Sequence, residues 1–362
     1  MTRSDYRRRR GARWAAGLLV LAVTLSGCAA TGSAHAVAQS EEATLPPAPL
    51  PALTEEAARL ADITVARFRG DRPAAMSFTF DDGFFVATEN TVRMFDLYGL
   101  RGTFFVNGGV TKDTRLESSN RTRWDRWREL DALGWEIGNH SWSHPDLTEL
   151  NDEALEHQVN DARALMIEKL GKAPFSFAYP FNKADERVRE VVLRHHGAAR
   201  ERQLFYGGDG WTREKADGWV DDAIAKGKWI VPMLHSIRRG FAAFEDPAQL
   251  DAHLRYVKSR EGEIWVDTFG NVARYVKERD AATLAAHVGP REVVFRVSCP
   301  LDGKVYNCPL TVVVPAEGAS SARAVRTGEA EPLPVTVTSD RILVDAVPAD
   351  EPVRLTWQSG SE

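Results

Sequence analysis

The feature that most constrains the fold is a regular alternation of two kinds of segment. Between about residues 53 and 280, short apolar runs that suit buried strands alternate with segments whose apolar residues recur at helical spacing. This alternation predicts βα units and a parallel sheet. About seven strands can be placed, which predicts a distorted (β/α) barrel. The active site of such a barrel lies at the carboxyl ends of its strands.

The predicted elements follow one another without an internal repeat. Strands are predicted at residues 74–80, 101–106, 135–140, 175–180, 197–200, 229–235 and 263–268. Helices are predicted at residues 85–98, 121–134, 151–170, 184–196, 217–227, 246–260 and 270–279. After about residue 285, β-branched runs are separated by Pro, Gly and Asp, which predicts a small antiparallel β-sandwich.

The N-terminus has the composition of an export signal. Four arginines at residues 7–10 precede an apolar stretch at 15–25 that is too short for an ordinary membrane span. The segment ending at Cys28 resembles the lipobox of bacterial lipoproteins, which implies cleavage before Cys28 and lipidation of its thiol. We therefore expect a lipoprotein signal peptide at 1–28 and a Pro- and Ala-rich tether at 29–52.

The two remaining cysteines are predicted to form a disulfide. An exported chain meets an oxidising compartment, where disulfides form and persist. Cys299 and Cys308 flank a short loop that contains an Asp-Gly turn signal. Two cysteines without a nearby histidine do not suit a zinc site.

Polar side chains stand directly at the ends of several predicted strands. Asp81 and Asp82 end the first barrel strand, His140 ends the third, and His235 ends a later one. A single Asp-Gly turn after a strand is common and indicates nothing by itself. Because the carboxyl ends of parallel strands meet at one face, we expect these side chains to converge.

His140 and His144 have the spacing of a metal-binding pair. If the chain turned helically after the strand, both imidazoles would project to one side. With one of the two adjacent carboxylates they would make a three-ligand site with an open position, suited to zinc or a similar divalent ion. The other carboxylate would remain available as a base.

Four motifs together resemble those of polysaccharide deacetylases with the NodB-homology domain, carbohydrate esterase family four. They are Thr79-Phe-Asp-Asp-Gly83, His140-Ser-Trp-Ser-His144, Phe177-Ala-Tyr-Pro-Phe181 and Leu234-His235. The resemblance covers about residues 70–280. It predicts a deacetylase domain at 53–283, and leaves the β-sandwich at 284–362 as an accessory domain.

The resemblance also implies roles for individual residues. Asp82, His140 and His144 would bind the metal, most readily zinc, with cobalt or nickel as alternatives. Asp81 would act as the general base and His235 as the general acid. The backbone N–H of Phe181 would stabilise the tetrahedral oxyanion.

The chain departs from the family pattern at Ala178, where many members carry an arginine that orients the base. Arg200, at the end of the next predicted strand, is a candidate replacement, although an arginine after a strand is more often a surface residue. The family's acid-orienting Asp is not obvious either. Asp267 could orient His235, or it could cap the helix predicted at 270–279.

The expected function is a metal-dependent hydrolase that removes N-acetyl groups from a glycan containing N-acetylglucosamine, of the chitin, peptidoglycan or poly-N-acetylglucosamine type. Lipid on Cys28 would hold it at the cell envelope. The formal net charge of −5 gives no electrostatic basis for binding nucleic acid.

Four alternatives remain at this stage. The same site could cleave O-acetyl esters of the xylan type or cyclic imides. A non-catalytic glycan-binding lipoprotein is a third alternative, against which the intact base-and-acid pair argues. A non-haem iron oxygenase also uses two His and a carboxylate, but those ligands would be expected on an antiparallel β-barrel.

Overall fold

Short buried strands, most of them followed by a helix, form a curled parallel sheet in the computed structural model. The structure describes residues 62–113, 120–238 and 240–360. All of these belong to one compact unit, Leu53–Glu362. The predicted signal peptide, the tether and Cys28 lie outside the described residues.

The strands of the described residues belong to four sheets. In chain order they are β1 (Thr64–Val65), β2 (Ala74–Met76), β3 (Thr79–Asp81), β4 (Thr103–Val106), β5 (Glu136–Asn139), β6 (Ser176–Ala178), β7 (Ala198–Arg200), β8 (Leu204–Phe205), β9 (Trp229–Ile230), β10 (Pro232–Leu234), β11 (Ile264–Val266), β12 (Thr283–Gly289), β13 (Glu292–Ser298), β14 (Leu310–Pro315), β15 (Ala319–Arg326), β16 (Val335–Val337), β17 (Arg341–Ala346) and β18 (Val353–Ser359).

The helices follow the predicted positions closely. They are α1 (Phe85–Asp96), α2 (Trp124–Ala132), α3 (Asp152–Glu156), α4 (Ala162–Leu170), α5 (Glu186–His195), α6 (Arg213–Lys226), α7 (Pro247–Ser259) and α8 (Phe269–Ala281), with a π-helical turn, His157–Asp161, between α3 and α4. The side chain of Asn151, directly before α3, accepts a hydrogen bond from the Ala154 N–H and caps the helix. Of the helices in the described ranges, none combines the length and hydropathy that a membrane span requires.

The sheet topology confirms the predicted barrel. Seven parallel strands are ordered β7-β6-β5-β4-β3-β10-β8, and a three-stranded parallel sheet, β11-β2-β9, adjoins them. The two sheets are linked because the chain runs from β2 into β3 and from β9 into β10 with short interruptions. All of the residues of β2, β3 and β4 are buried, as expected for strands covered on both faces.

An aromatic core holds the sheet against the first two helices. Phe80 lies between Phe95 of α1 and Phe104 of β4, with ring centroids 5.2 and 5.1 Å apart. Trp127 of α2 is fully buried in this core. Leu133, which follows the end of α2 at Ala132, is 55% exposed.

Two antiparallel sheets confirm the predicted β-sandwich. Their orders are β1-β14-β17-β16 and β12-β13-β18-β15. Alternate residues of both sheets, including Phe295, Val312 and Leu355, meet in a shared apolar core. The sequence analysis did not predict β1, which precedes the barrel strands in the chain but pairs with β14.

Candidate active site

A tight turn at the end of β3 separates the two adjacent carboxylates. Asp82 and Gly83 both have positive φ, 75° and 68°. A side chain at Gly83 would be strained at this φ, and its Cβ would lie 2.9 Å from the Trp127 ring. The turn sends Asp81 toward Arg200 and Asp82 toward His144.

Three side chains form a candidate metal centre at the carboxyl ends of β3 and β5. One possible ligand atom from each of Asp82, His140 and His144 lies within 4.8 Å of the others. Two imidazoles and a carboxylate are the donor set of many catalytic zinc sites. The residues that sequence analysis assigned to the metal are therefore brought together by the fold.

The loop after β5 joins the two histidines in an unexpected way. Instead of a helical turn, Ser141 and His144 adopt left-handed backbone conformations, with φ of 71° and 67°. The Asn139 side chain accepts a hydrogen bond from the Ser141 N–H, and the Ser141 hydroxyl accepts one from the His144 N–H. These bonds, rather than helical periodicity, hold His144 beside His140.

His140 is oriented for binding a cation through Nε2. Its Nδ1 donates to the Ala178 carbonyl oxygen at 2.8 Å, which leaves the Nε2 lone pair directed elsewhere. Burial lowers the pKa of His140 to about 4, although the Asp81 charge opposes this shift. The imidazole is therefore neutral at pH 7, as a metal ligand must be.

Arg200 holds the predicted base. Its Nη1 donates to Asp81 Oδ1 at 2.8 Å and its Nη2 to Asp81 Oδ2 at 2.6 Å, a bidentate pair. Nη1 also donates to the Thr79 hydroxyl oxygen, whose own proton goes to the Pro232 carbonyl. Arg200 is 2% exposed, so it is not a surface residue.

The electrostatics of this pair keep Asp81 ionised. Burial raises the pKa of the Asp81 carboxyl, but the Arg200 charge, its hydrogen bonds and the nearby His140 and His235 outweigh burial and hold the pKa at about 2. Because the folded-state pKa is depressed, the pair stabilises the fold above pH 3.8, and this contribution is lost as the pH falls toward 2.

His235 and Phe181 flank the centre from two other strand ends. His235 follows β10 and is partly exposed, with the Phe241 ring 4.9 Å from its own. Phe181 and Asn182 have φ of 57° and 55°, and the exposed Phe181 ring lies 4.6 Å from that of His144. A non-glycine pair in this conformation is strained, and such strain often accompanies a functional loop.

Asp267 makes the contacts of a helix-end residue. Its Oδ1 accepts hydrogen bonds from the Thr268 N–H and the Asn271 side chain at the start of α8. No contact joins Asp267 to His235 among the described residues. Trp211 and Trp219 are partly buried and pack on Tyr206 of the core.

The two C-terminal cysteines lie at the junction of α8 and the sandwich. Both Cys299 and Cys308 are free thiols in the structure. The Cys308 backbone N–H donates to the buried Glu278 carboxylate. Their pairing in a disulfide, like the lipidation of Cys28, remains a prediction.

Several supporting residues were missed from sequence. Asn107 donates to the His140 carbonyl oxygen, and Arg121 donates to the Asp82 carbonyl oxygen and to Asn107. Thr79 and Asn139 lie within or beside the quoted motifs, so a search for buried polar neighbours could have found them. Arg121 is far from every motif, and no local signal marks it.

A buried histidine beside the loop at 140–144 makes stability pH-dependent. Nδ1 of His196 donates to the Val192 carbonyl oxygen, and Nε2 accepts from Asn139. Burial lowers the pKa of His196 from 6.5 to about 3. Between these values the unfolded chain binds the proton and the folded chain does not, so stability falls as the pH drops.

When the pH is lowered from 6.5 to 5, we expect protonation of His196 in the unfolded chain to reduce the free energy of unfolding by about 2 kcal/mol. The limiting slope is about 1.4 kcal/mol per pH unit. Urea unfolding of chelated protein across this range measures the slope. His196→Gln should flatten this slope by the equivalent of one proton. If the free energy of unfolding depended on pH in the same way in wild type and in His196→Gln, His196 would not be the source of the pH dependence.

Comparison with known proteins agrees with this geometry. Residues 69–198 match the polysaccharide deacetylase family. A chitin deacetylase of Pestalotiopsis sp is 32% identical over 109 residues, which are 30% of this chain and 35% of that protein. The peptidoglycan-N-acetylmuramic acid deacetylase PdaC of Bacillus subtilis is 32% identical over 118 residues, 32% of this chain and 23% of that protein.

A longer similarity extends beyond the family match. A gellan lyase of Bacillus sp is 25% identical over 331 residues, covering 79% of this chain but 13% of that protein. The chain thus spans between 13% and 35% of the length of these three relatives. The matched family segment contains Asp81, Asp82, His140 and His144. Over residues 69–198, which carry four of the candidate site residues, this chain is therefore similar to polysaccharide deacetylases.

Proposed function

We propose that the protein is a metal-dependent deacetylase that hydrolyses N-acetyl groups of a glycan containing N-acetylglucosamine. The observation that carries the proposal is the cluster of Asp82, His140 and His144 beside the buried pair of Asp81 and Arg200. Relatives named as chitin and peptidoglycan deacetylases support this substrate class.

The residues present suit a divalent cation, with zinc the best match and cobalt or nickel as alternatives. His140 has its Nδ1 committed to Ala178, so Nε2 is available, and Asp82 and His144 supply the other donors. When bound, the cation would polarise the acetyl carbonyl and lower the pKa of a water molecule.

Two side chains transfer protons in this proposal, and one backbone N–H stabilises the intermediate. Asp81, held ionised by Arg200, accepts a proton from the attacking water. The backbone N–H of Phe181 donates a hydrogen bond to the oxyanion of the tetrahedral intermediate. His235 donates a proton to the departing amine, so that acetate and a free amino sugar are released.

The proposed location is the cell envelope, with export through residues 1–28 and attachment through lipid on Cys28. The lipobox resemblance at Cys28 supports this location. Metabolic labelling with a palmitate analogue in a bacterial host tests it. A Cys28→Ala variant should lose the label and leave the membrane fraction.

Metal removal tests the function directly. We expect acetate release from chitin oligosaccharides by the 29–362 chain to fall to the background rate after chelation and to return with zinc or cobalt. Zinc should also raise Tm, by the equivalent of about 2.7 kcal/mol at a hundredfold excess over Kd.

The matched control is His144→Gln, which removes one proposed ligand from a partly exposed position. It should lose both the zinc-dependent activity and most of the zinc-dependent rise in Tm. Acetate release that survives chelation in both proteins would refute metal dependence. Metal binding without acetate release from any N-acetylated oligomer would refute the amide substrate and favour an ester or imide.

A further inference from the structure

A basic cleft lies at the opposite edge of the barrel sheet from the candidate active site. Its volume is about 690 Å³, within the range of small-molecule sites. It is lined by residues that precede β6 and β7, by one face of α8 and by the loop at 304–309. Because Asp81, His140 and Arg200 stand at the carboxyl ends of the strands, the cleft is a separate site.

The lining is strongly cationic although the chain has a net charge of −5. Six lysine and arginine side chains line it, namely Arg69, Arg163, Lys172, Arg194, Arg274 and Lys304. Asp267 is the one carboxylate among the described lining residues, and its Oδ1 already accepts bonds from the start of α8. A concave surface with one sign of charge raises the local concentration of ions of opposite sign.

Half of these cations have protein partners and half do not. Arg69 pairs with Asp345, Lys172 with Asp131, and Arg194 with Glu156. The other three, Arg163, Arg274 and Lys304, make no ion pair with any residue in the part of the chain that the structure describes. The charge of the buried Glu278 acts on Arg274 from beyond ion-pair distance. Among the described residues, all three cations therefore lack the direct carboxylate contact that a ligand could supply.

Arg163 of α4 lines the cleft. Its Nε is buried and has no hydrogen-bond partner among the described residues. Because this atom is out of reach of solvent, an anion in the cleft would contact the guanidinium through its Nη groups. The charge of Arg163, which no carboxylate among the described residues pairs, favours an anion there.

Arg274 is held in position for the same task. Its guanidinium carbon lies 3.9 Å from the centroid of the Phe175 ring, and that ring contacts Tyr306 of the sandwich loop. An arginine in contact with an aromatic face can still use its N–H groups to bind carboxylates and phosphates in a bidentate manner.

We propose that this cleft binds an acidic sugar, whose carboxylate or phosphate oxygens contact the unpaired cations Arg163, Arg274 and Lys304. The amides of Asn271 and Asn307, also in the lining, can bond to ring hydroxyls. The site recognises an anionic glycan away from the acetyl group that is hydrolysed, and it does not depend on the deacetylase proposal.

The test is calorimetric titration of the full 29–362 chain with trigalacturonate, glucose 6-phosphate and inorganic phosphate. Chelated protein is used so that no carboxylate can bind through a metal at Asp82, His140 and His144. We expect saturable binding of at least one sugar, at least tenfold tighter than inorganic phosphate. Comparison of the first two ligands distinguishes a carboxylate from a phosphate.

Variants place the binding in the cleft. Arg163→Gln combined with Arg274→Gln should weaken sugar binding at least tenfold, and Lys304→Gln, in an exposed loop, provides a second variant that leaves packing intact. Arg323→Gln on β15 removes the same charge from an exposed position outside the cleft and should change nothing.

Two results would overturn the proposal. One is sugar binding that is equal in wild type and in both cleft variants. The other is inorganic phosphate binding as tightly as the sugars, which would leave an oxyanion site without sugar recognition. Acetate release from neutral chitin oligosaccharides should be unchanged in the cleft variants, so failure here is distinguishable from failure of the deacetylase proposal.

Discussion

Asp81→Asn should lower kcat for acetate release by roughly 10²- to 10⁴-fold, the usual contribution of a positioned general base. The amide keeps the shape of the side chain and one acceptor for Arg200, but it cannot take a proton from water. Initial rates on chitin oligosaccharides with saturating zinc measure the effect. Zinc affinity should stay close to that of wild type, because Asp81 is not among the three proposed ligands.

Asp82→Asn is the matched control for this substitution. It makes the same chemical change at the neighbouring residue, but there it weakens a proposed metal ligand. We expect its activity loss to be accompanied by weaker zinc binding, and to be partly recovered at high zinc concentration. The assignment of the base would be wrong if Asp81→Asn retained a rate within a few-fold of wild type.

Arg200→Met should destabilise the fold by about 3–5 kcal/mol at pH 7, the cost of leaving one partner of a buried ion pair alone. Arg200 and Asp81 are 2% and 5% exposed, so water cannot readily replace the lost contact. Urea unfolding of the chelated protein measures this change. In the double variant Asp81→Asn/Arg200→Met, the loss should be smaller than the sum of the two single losses.

A pH profile separates a positioning role from a purely structural one. Without the Arg200 charge, burial is less opposed and the pKa of Asp81 rises. The acid limb of kcat/KM should therefore move to higher pH in Arg200→Met. Arg200→Lys, which keeps the charge but not the bidentate contact, should show a smaller shift. An unchanged acid limb in a folded, active Arg200→Met variant would show that Arg200 does not act through the base.

The position of this arginine explains the departure from the family pattern at Ala178. Cα pairing places Ala178 of β6 opposite Arg200 of β7. An arginine on the neighbouring strand can therefore reach the carboxylate that the missing one would have contacted. The small, buried Ala178 instead supplies the carbonyl oxygen that orients His140.

Local sequence pattern was sufficient for most of the secondary structure and for the strand ends at which the candidate site residues stand. An apolar run that ends in a charged or imidazole side chain predicts a strand with a polar residue at its carboxyl end. Because the carboxyl ends of parallel barrel strands lie at the same end of the barrel, these polar residues are expected to lie close together. That argument placed Asp81, Asp82 and His140 on one face, whereas the choice of Asp82 as a proposed ligand came from the family resemblance, and the helical turn expected to bring in His144 is replaced by a loop with left-handed residues. The short strand β8 was missed because two residues, Leu204–Phe205, give no periodicity to detect.

Tertiary structure decided the features that depend on residues far apart in the chain. Arg200 and Asp81 are 119 positions apart, and only closure of the sheet brings them within 2.8 Å. β1 joins the sandwich by pairing with the open edge of β14. Its two residues, Thr64–Val65, are too few for a sequence pattern to predict a strand or its partner. The basic cleft unites the amino ends of two strands, α8 and a sandwich loop, so its unpaired charges become neighbours only after the chain has folded. Composition and spacing thus determined the strands, the helices and the strand ends that carry candidate site residues, whereas long-range packing determined which charges are paired or buried.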